Sequence, residues 1–162
     1  MAVLQRKLLR HYVEWPALTE GGTATFEVVG KDNEEMNMEL NPNVESSTNV
    51  LGENATFIDK YEPQMQVDPH RARSDTTAYT WLKDAIDKRK VLDDLKVRVV
   101  EVDMMEDPTT GTYPARIEDA IVEIPQYGGS GTFDIPYTLH MTGENRADGT
   151  FNPTTFTWVA ST

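Results

Sequence analysis

Phe133, Ile135, Tyr137, Leu139 and Met141 alternate with Asp134, Pro136, Thr138 and His140, and a spacing of two is the mark of a strand with one buried face. The same period recurs in Met36, Met38 and Leu40 and in Tyr61, Pro63, Met65 and Val67. It closes the chain in Phe156, Trp158 and Ala160. Pro136 has no N–H to give a ladder, which predicts an edge strand or a bulge at that point. From Leu95 to Met104 the apolar parity switches between Val99 and Val100, and a β-bulge there would reset the buried face. One stretch follows the helical period instead: Ala78, Trp81, Leu82, Ala85 and Ile86 fall on one side, after a Ser74-Asp75 N-cap. The pattern predicts a helix over about 75–90. Its opposite face carries Lys83, Asp84, Asp87, Lys88 and Lys90, with the cations late, where the helix dipole favours them. The predicted fold is mainly β in the α+β class, an antiparallel β-sandwich or open barrel flanked by one α-helix. At 162 residues the chain is expected to form a single domain over 1–162.

Charge and residue usage exclude several functions. Fifteen Lys and Arg stand against 27 Asp and Glu, a formal net charge of -12. That balance argues against a duplex-groove binder and against attachment to anionic lipid, both of which need a basic face. With no cysteine there are no disulfides, thiolate metal sites or thiol nucleophiles. No apolar run reaches the roughly 18 residues that span a bilayer, and the first ten residues lack an uninterrupted apolar stretch of the secretory kind.

The segment from Asn41 to Asn54 does not suit a compact domain, being polar with little to bury, and predicts a long arm or loop at about 41–54. Charge is lopsided around it. Ten acids between Glu27 and Asp68 face only Lys31 and Lys60, which places eight of the twelve net negative charges in that span. Such asymmetry predicts one acidic surface.

No motif of catalysis survives inspection. His11, His70 and His140 are scattered, without the short-spaced pair of a metal site. Gly128-Gly129-Ser130-Gly131-Thr132 lacks the last glycine of a nucleophile elbow and leads into a strand. In Glu144-Asn145-Arg146-Ala147-Asp148-Gly149 an arginine occupies a ligand position of a calcium loop, and Thr155 stands where a bidentate Glu is required. Acid pairs such as Glu34-Glu35 and Asp93-Asp94 are adjacent and diverge on any strand. The expectation is a protein that is not an enzyme, with no cofactor and no metal.

Read in order, a series of short segments is familiar. It runs through His11-Tyr12-Val13, Asn41-Pro42-Asn43-Val44-Glu45, Asn54-Ala55-Thr56, Tyr61-Glu62-Pro63 and Val67-Asp68-Pro69, then one helix and Arg89-Lys90-Val91-Leu92. It continues with Tyr113-Pro114-Ala115-Arg116, Tyr127-Gly128-Gly129-Ser130-Gly131, the strand from Ile135 to Met141, and Gly149-Thr150-Phe151-Asn152-Pro153-Thr154-Thr155 before an aromatic strand. In order and spacing the chain resembles the tail tube (major tail) proteins of bacteriophages over nearly its whole length. Only Leu18 to Val29 shows no family pattern.

The resemblance implies a β-sandwich with a flanking helix, hexameric rings, and rings stacked into a tube that conducts genomic DNA. It implies a virion tail location, with assembly in the host cytoplasm and no membrane association. The implied partners are other copies of the chain, and tail tip or initiator, tape measure and tail terminator proteins. DNA would pass through the lumen without specific binding. Strand parity, applied to that architecture, turns Glu35, Asn37, Glu39, Glu62, Gln64 and Gln66 toward the lumen. The arm contacting the neighbouring ring would use Asn43, Glu45, Ser46, Ser47, Thr48, Asn49, Leu51 and Glu53. Two alternatives stand beside it. One is the tube subunit of a phage-like injection or secretion apparatus. The other is a stand-alone β-sandwich binding module with Trp15, Tyr79 or Tyr127 as an aromatic platform.

Overall fold

The computed structural model describes residues 2–162. Strands β1 (Leu9–Trp15), β7 (Lys96–Asp103) and β8 (Tyr113–Glu123) form the antiparallel centre of the fold. β8 is long enough, at 11 residues, to serve two partners along one edge. Its residues Ala120 to Glu123 pair with β9 (Tyr137–Met141), and Tyr113 to Ile117 pair with β10 (Ala147–Asn152). From β9 the sheet continues through β6 (Gln64–Val67) to β3 (Met38–Glu39), and from β10 to β11 (Thr157–Ala160). β2 (Thr25–Val28) borders β1 on the far side. The outcome is mainly β and antiparallel with one helix, α1 (Thr77–Lys88), in agreement with the fold class read from the sequence.

Two cores occupy opposite faces of the central strands. On one face Val13, Trp15, Val97, Val99, Ala120, Val122, Leu139 and Met65 meet the apolar side of α1. Trp15 and Trp81 lie with ring centroids 5.3 Å apart, and Tyr137 stands edge-on to Trp15 at 5.7 Å. On the other face Tyr12, Val100, Val102, Ile117 and Phe151 pack together. Gly149 lets β11 close over that second core, because a Cβ there would collide with the Val159 carbonyl and the Trp158 ring. The parity switch in β7 is thereby explained without a bulge. Pairing runs unbroken from Lys96↔Ile121 to Val102↔Ala115, and one core takes Val97 and Val99 from one face while the other takes Val100 and Val102 from the opposite face.

Three further expectations are corrected. Pro136 does not mark an edge: β9 lies inside the sheet between β8 and β6, and Pro136 sits just before its first residue, where no ladder N–H is needed. The helix begins later than Ser74-Asp75. Its N-cap is Thr76, whose Oγ1 accepts from the Tyr79 N–H at 3.2 Å, and it ends at Arg89 in the left-handed conformation. The Asn41–Asn54 segment is no loop. It contains β4 (Pro42–Thr48), which pairs with β5 (Asn54–Tyr61) in a two-stranded sheet of its own.

Two acids from the acid-rich span hold the body together. Glu27 Oε1 accepts from the Thr77 and Ala78 N–H groups at 2.6 and 3.3 Å, an anion at the positive end of α1. Asp32, with only 4% of its side chain exposed, takes both guanidinium nitrogens of Arg73 at 2.6 and 3.0 Å and the Arg71 N–H at 2.9 Å. The Arg73 hydrogen bond outweighs desolvation and holds the Asp32 carboxyl down at about 2. A carboxyl lowered on folding stabilises the protein above its unfolded value near 3.8, and that contribution is lost as pH falls toward 2. Since Arg73 is partly solvated, the contribution is about 1–2 kcal/mol. Acid titration of the unfolding free energy should show a loss of this size between about pH 4 and pH 2. In the D32N variant, lower in stability at neutral pH, that component of the slope should vanish.

Candidate functional site

The β4–β5 hairpin is rich in Ser, Thr and Asn, and every residue of both strands is exposed. Seven strand residues carry its tip about 23 Å from its base. Its side chains pair across the ladder. Thr48 Oγ1 donates to Asn54 Oδ1 at 2.6 Å, and the Ser46 and Thr56 hydroxyls meet at 3.3 Å. One register shift beside Asn43 and Val44 leaves Asp59 as the extra residue. The turn is fixed by Asn49, whose Oδ1 accepts from the Leu51 and Glu53 N–H groups at 2.9 and 3.0 Å. Gly52 takes the left-handed conformation the turn requires, with φ of 78°. Apolar side chains stand uncovered at both ends of the hairpin, Val44, Phe57, Ile58 and Tyr61 toward the base and Val50 and Leu51 at the tip.

The residues expected on the arm all lie on this hairpin: Asn43, Glu45, Ser46, Ser47 and Thr48 on β4, and Asn49, Leu51 and Glu53 in the turn. The six residues expected toward a lumen divide into three places. Glu39, Gln64 and Gln66 share the sheet face opposite α1, where Gln64 Nε2 donates to Glu39 Oε2 at 3.2 Å. Across register from Gln64 lies His140, which meets Glu123 at 3.2 Å. Glu35 and Asn37 lie on the connection entering β3, joined to each other at 3.0 Å. Glu62 sits at the hairpin base, where Lys60 reaches it at 3.1 Å and is itself raised above the usual lysine value by that contact. Met38, Met65 and Val67 face the core as the parity predicts, but Leu40 is 54% exposed, because β3 ends at Glu39 and the chain turns out into the hairpin. The acidic surface is smaller than the count of ten acids suggests, since Glu27 and Asp32 are taken up inside the body.

Sequence reading misses a row of ionic residues beside the hairpin base. His11, Glu101, Arg116 and Asp148 stand in register across β1, β7, β8 and β10. His11 is 1% exposed and its Nε2 lies 2.9 Å from Glu101 Oε2, a hydrogen bond that holds Glu101 below the usual carboxylate range. Arg116 pairs with Asp148 at 2.8 Å, and Arg146 with Glu118 at 3.4 Å. All of these but Asp148, with Met38, Leu40, Tyr61 and Met141, line a cavity of about 530 Å³. Its charges are matched within the chain, the pattern of a seam that fixes strand register. The members lie far apart in sequence, so no local motif announces them. Among the described residues no three His, Asp or Glu side chains converge to hold a metal ion, and no helix is long and apolar enough to cross a membrane. Of the three aromatics considered for a platform, Trp15 is buried between Trp81 and Tyr137, Tyr79 is half-buried against the core and Tyr127 is exposed.

No protein-family model matches the chain, and no curated protein matches it.

The hairpin is a local unit whose turn can be loosened without touching either core. N49A removes the acceptor of two turn N–H groups, and amide exchange at Leu51 and Glu53 should speed up about tenfold. The global unfolding midpoint should stay unchanged; a fall in that midpoint would show that the hairpin is coupled to the body.

Proposed function

We propose that the chain is a structural subunit of a phage-type tail tube, closing into hexameric rings that stack into a hollow conduit for genomic DNA. The observation that carries this reading is the β4–β5 hairpin. A two-stranded hairpin is marginal in water on its own. This one leaves Val44, Phe57, Ile58 and Tyr61 uncovered at 46–58% exposure, a surface that a second copy would bury. The resemblance of the ordered segments to tail tube proteins supports the same reading. So do the free ladder groups of the edge strands β2, β3 and β11, which suit pairing between subunits.

Charge suits the proposed cargo. Six copies at -12 each carry about -72 per ring, and an acidic wall repels phosphate, so a duplex slides without being held. Glu39, Gln64 and Gln66, with Glu35, Asn37 and Glu62 at the ends of the same region, are the proposed lining. Tail tip, tape measure and tail terminator proteins are the proposed partners in the virion, and the role asks for no catalysis and no cofactor.

Negative-stain electron microscopy and light scattering of the concentrated protein test the reading, alone and with a tail-tip initiator. Six-fold rings or hollow tubes are expected. The variant lacking Ser46–Gly52 should fold with an unchanged core and remain monomeric. Normal tubes from the deletion variant, or a strict monomer of the full chain even with initiator, would overturn the proposal.

A further inference from the structure

A second uncovered apolar surface lies away from the hairpin. Where the C-terminal end of α1 meets the end of β8, a groove of about 680 Å³ opens between Ile86, Leu95, Ile124, Pro125 and Tyr127. Tyr127 is 60% exposed over it, and the neighbouring Val91 and Leu92 stand in solvent as well. The rim carries one uncommitted cation. Lys90 is taken up by Asp84 at 2.7 Å and by the face of Trp81, and Glu123 turns to His140, 3.2 Å away. Arg89, held at the helix C-cap, is exposed and has no ion-pair partner among the described residues.

The hairpin tip has the complementary character. Val50 and Leu51 are 101% and 79% exposed. Glu53, two residues further on, has no cation beside it; its Oε1 accepts from Asn49 Nδ2 at 3.2 Å. Because Asn49 already fixes the Leu51 and Glu53 backbone, little ordering is left to be done on docking. No residue of the hairpin lines this groove in its own chain, so a hairpin tip seated there would come from another molecule. We infer that the hairpin tip of one copy docks in the α1–β8 groove of a second copy, with Val50 and Leu51 on the apolar floor and Glu53 against Arg89. The inference rests on the tube reading only for the need to join copies of the chain.

The absence of cysteine makes the test clean. Full-length L51C and Q126C, both substituted at exposed positions, are mixed and treated with a short bismaleimide, and the linked peptides are identified by mass spectrometry. The expected product joins position 51 to position 126. Mixing L51C with L40C, which probes the cavity at the hairpin base, should give at least about tenfold less. Adding R89E to the Q126C chain should lower the yield about tenfold, and adding E53R to its L51C partner should restore it to within about twofold. An equal or greater yield with L40C, no 51–126 product, or indifference to the charge exchange would each overturn the docking site. Tubes seen without the 51–126 link would discard the groove and keep the tube. A strong link between copies that never form rings or tubes would keep the groove and discard the tube.

Discussion

Strand β8 sets the terms for the rest of the fold, because one continuous strand of 11 residues hydrogen-bonds β7 along one edge and two separate strands along the other. A sheet that divides in this way cannot be covered by a single layer. The β9 branch carries its apolar side toward α1, and the β10 branch closes with β11 over the opposite face. The two cores consequently bury successive stretches of opposite faces of β7, Val97 and Val99 on one and Val100 and Val102 on the other, which is why its apolar alternation changes parity midway. The two cores share β1, β7 and β8. A cavity made in either one therefore falls on the strands that support the other.

Against that doubly buried centre the β4–β5 hairpin is the opposite extreme. Ordering the backbone costs about 1–2 kcal/mol per residue, and the hairpin repays it with ladder bonds, hydroxyl pairs and the Asn49 turn rather than with burial. Such an element persists as a preformed shape with low local stability. Preformed shape is useful to a segment that must meet a partner, since the ordering has been done before contact. The exposed apolar residues at its base and tip gain their full value only when another surface covers them.

Legibility in the sequence follows burial. Tyr137-Leu139-Met141 and Met65-Val67 announce themselves because one face meets a core and the other meets water, and Ala78-Trp81-Leu82-Ala85 does so through the helical period. β4 and β5 are invisible to the same reading. A strand with both faces in solvent has no reason to alternate, and Ser, Thr and Asn in a row look like loop. Glu27 and Asp32 counted as surface acids because their partners, Thr77 and Arg73, lie 50 and 41 residues away. The His11–Glu101–Arg116–Asp148 row is hidden for the same reason: register across four strands is a tertiary fact that spacing along the chain does not encode.

The charge that suits the proposed bore also opposes the proposed assembly, and the structure bears on how the two are reconciled. Copies at -12 repel one another, and salt screens that repulsion only beyond about 8–10 Å at physiological ionic strength. Contacts between copies are closer than this, so they must be locally matched whatever the net charge. The cations of the body are mostly committed within the chain: Arg73 to Asp32, Arg98 to Glu14, Arg116 to Asp148 and Lys90 to Asp84. Arg6, Lys7, Arg10, Lys31, Arg71 and Arg89 are in no ion pair among the described residues, and of these Arg89 lies on the α1–β8 groove. An acidic subunit of this kind would therefore join through apolar area and a small number of uncommitted cations, and leave its remaining acids where water and counterions can reach them. In a ring, the places that satisfy that condition are the outer wall and the bore.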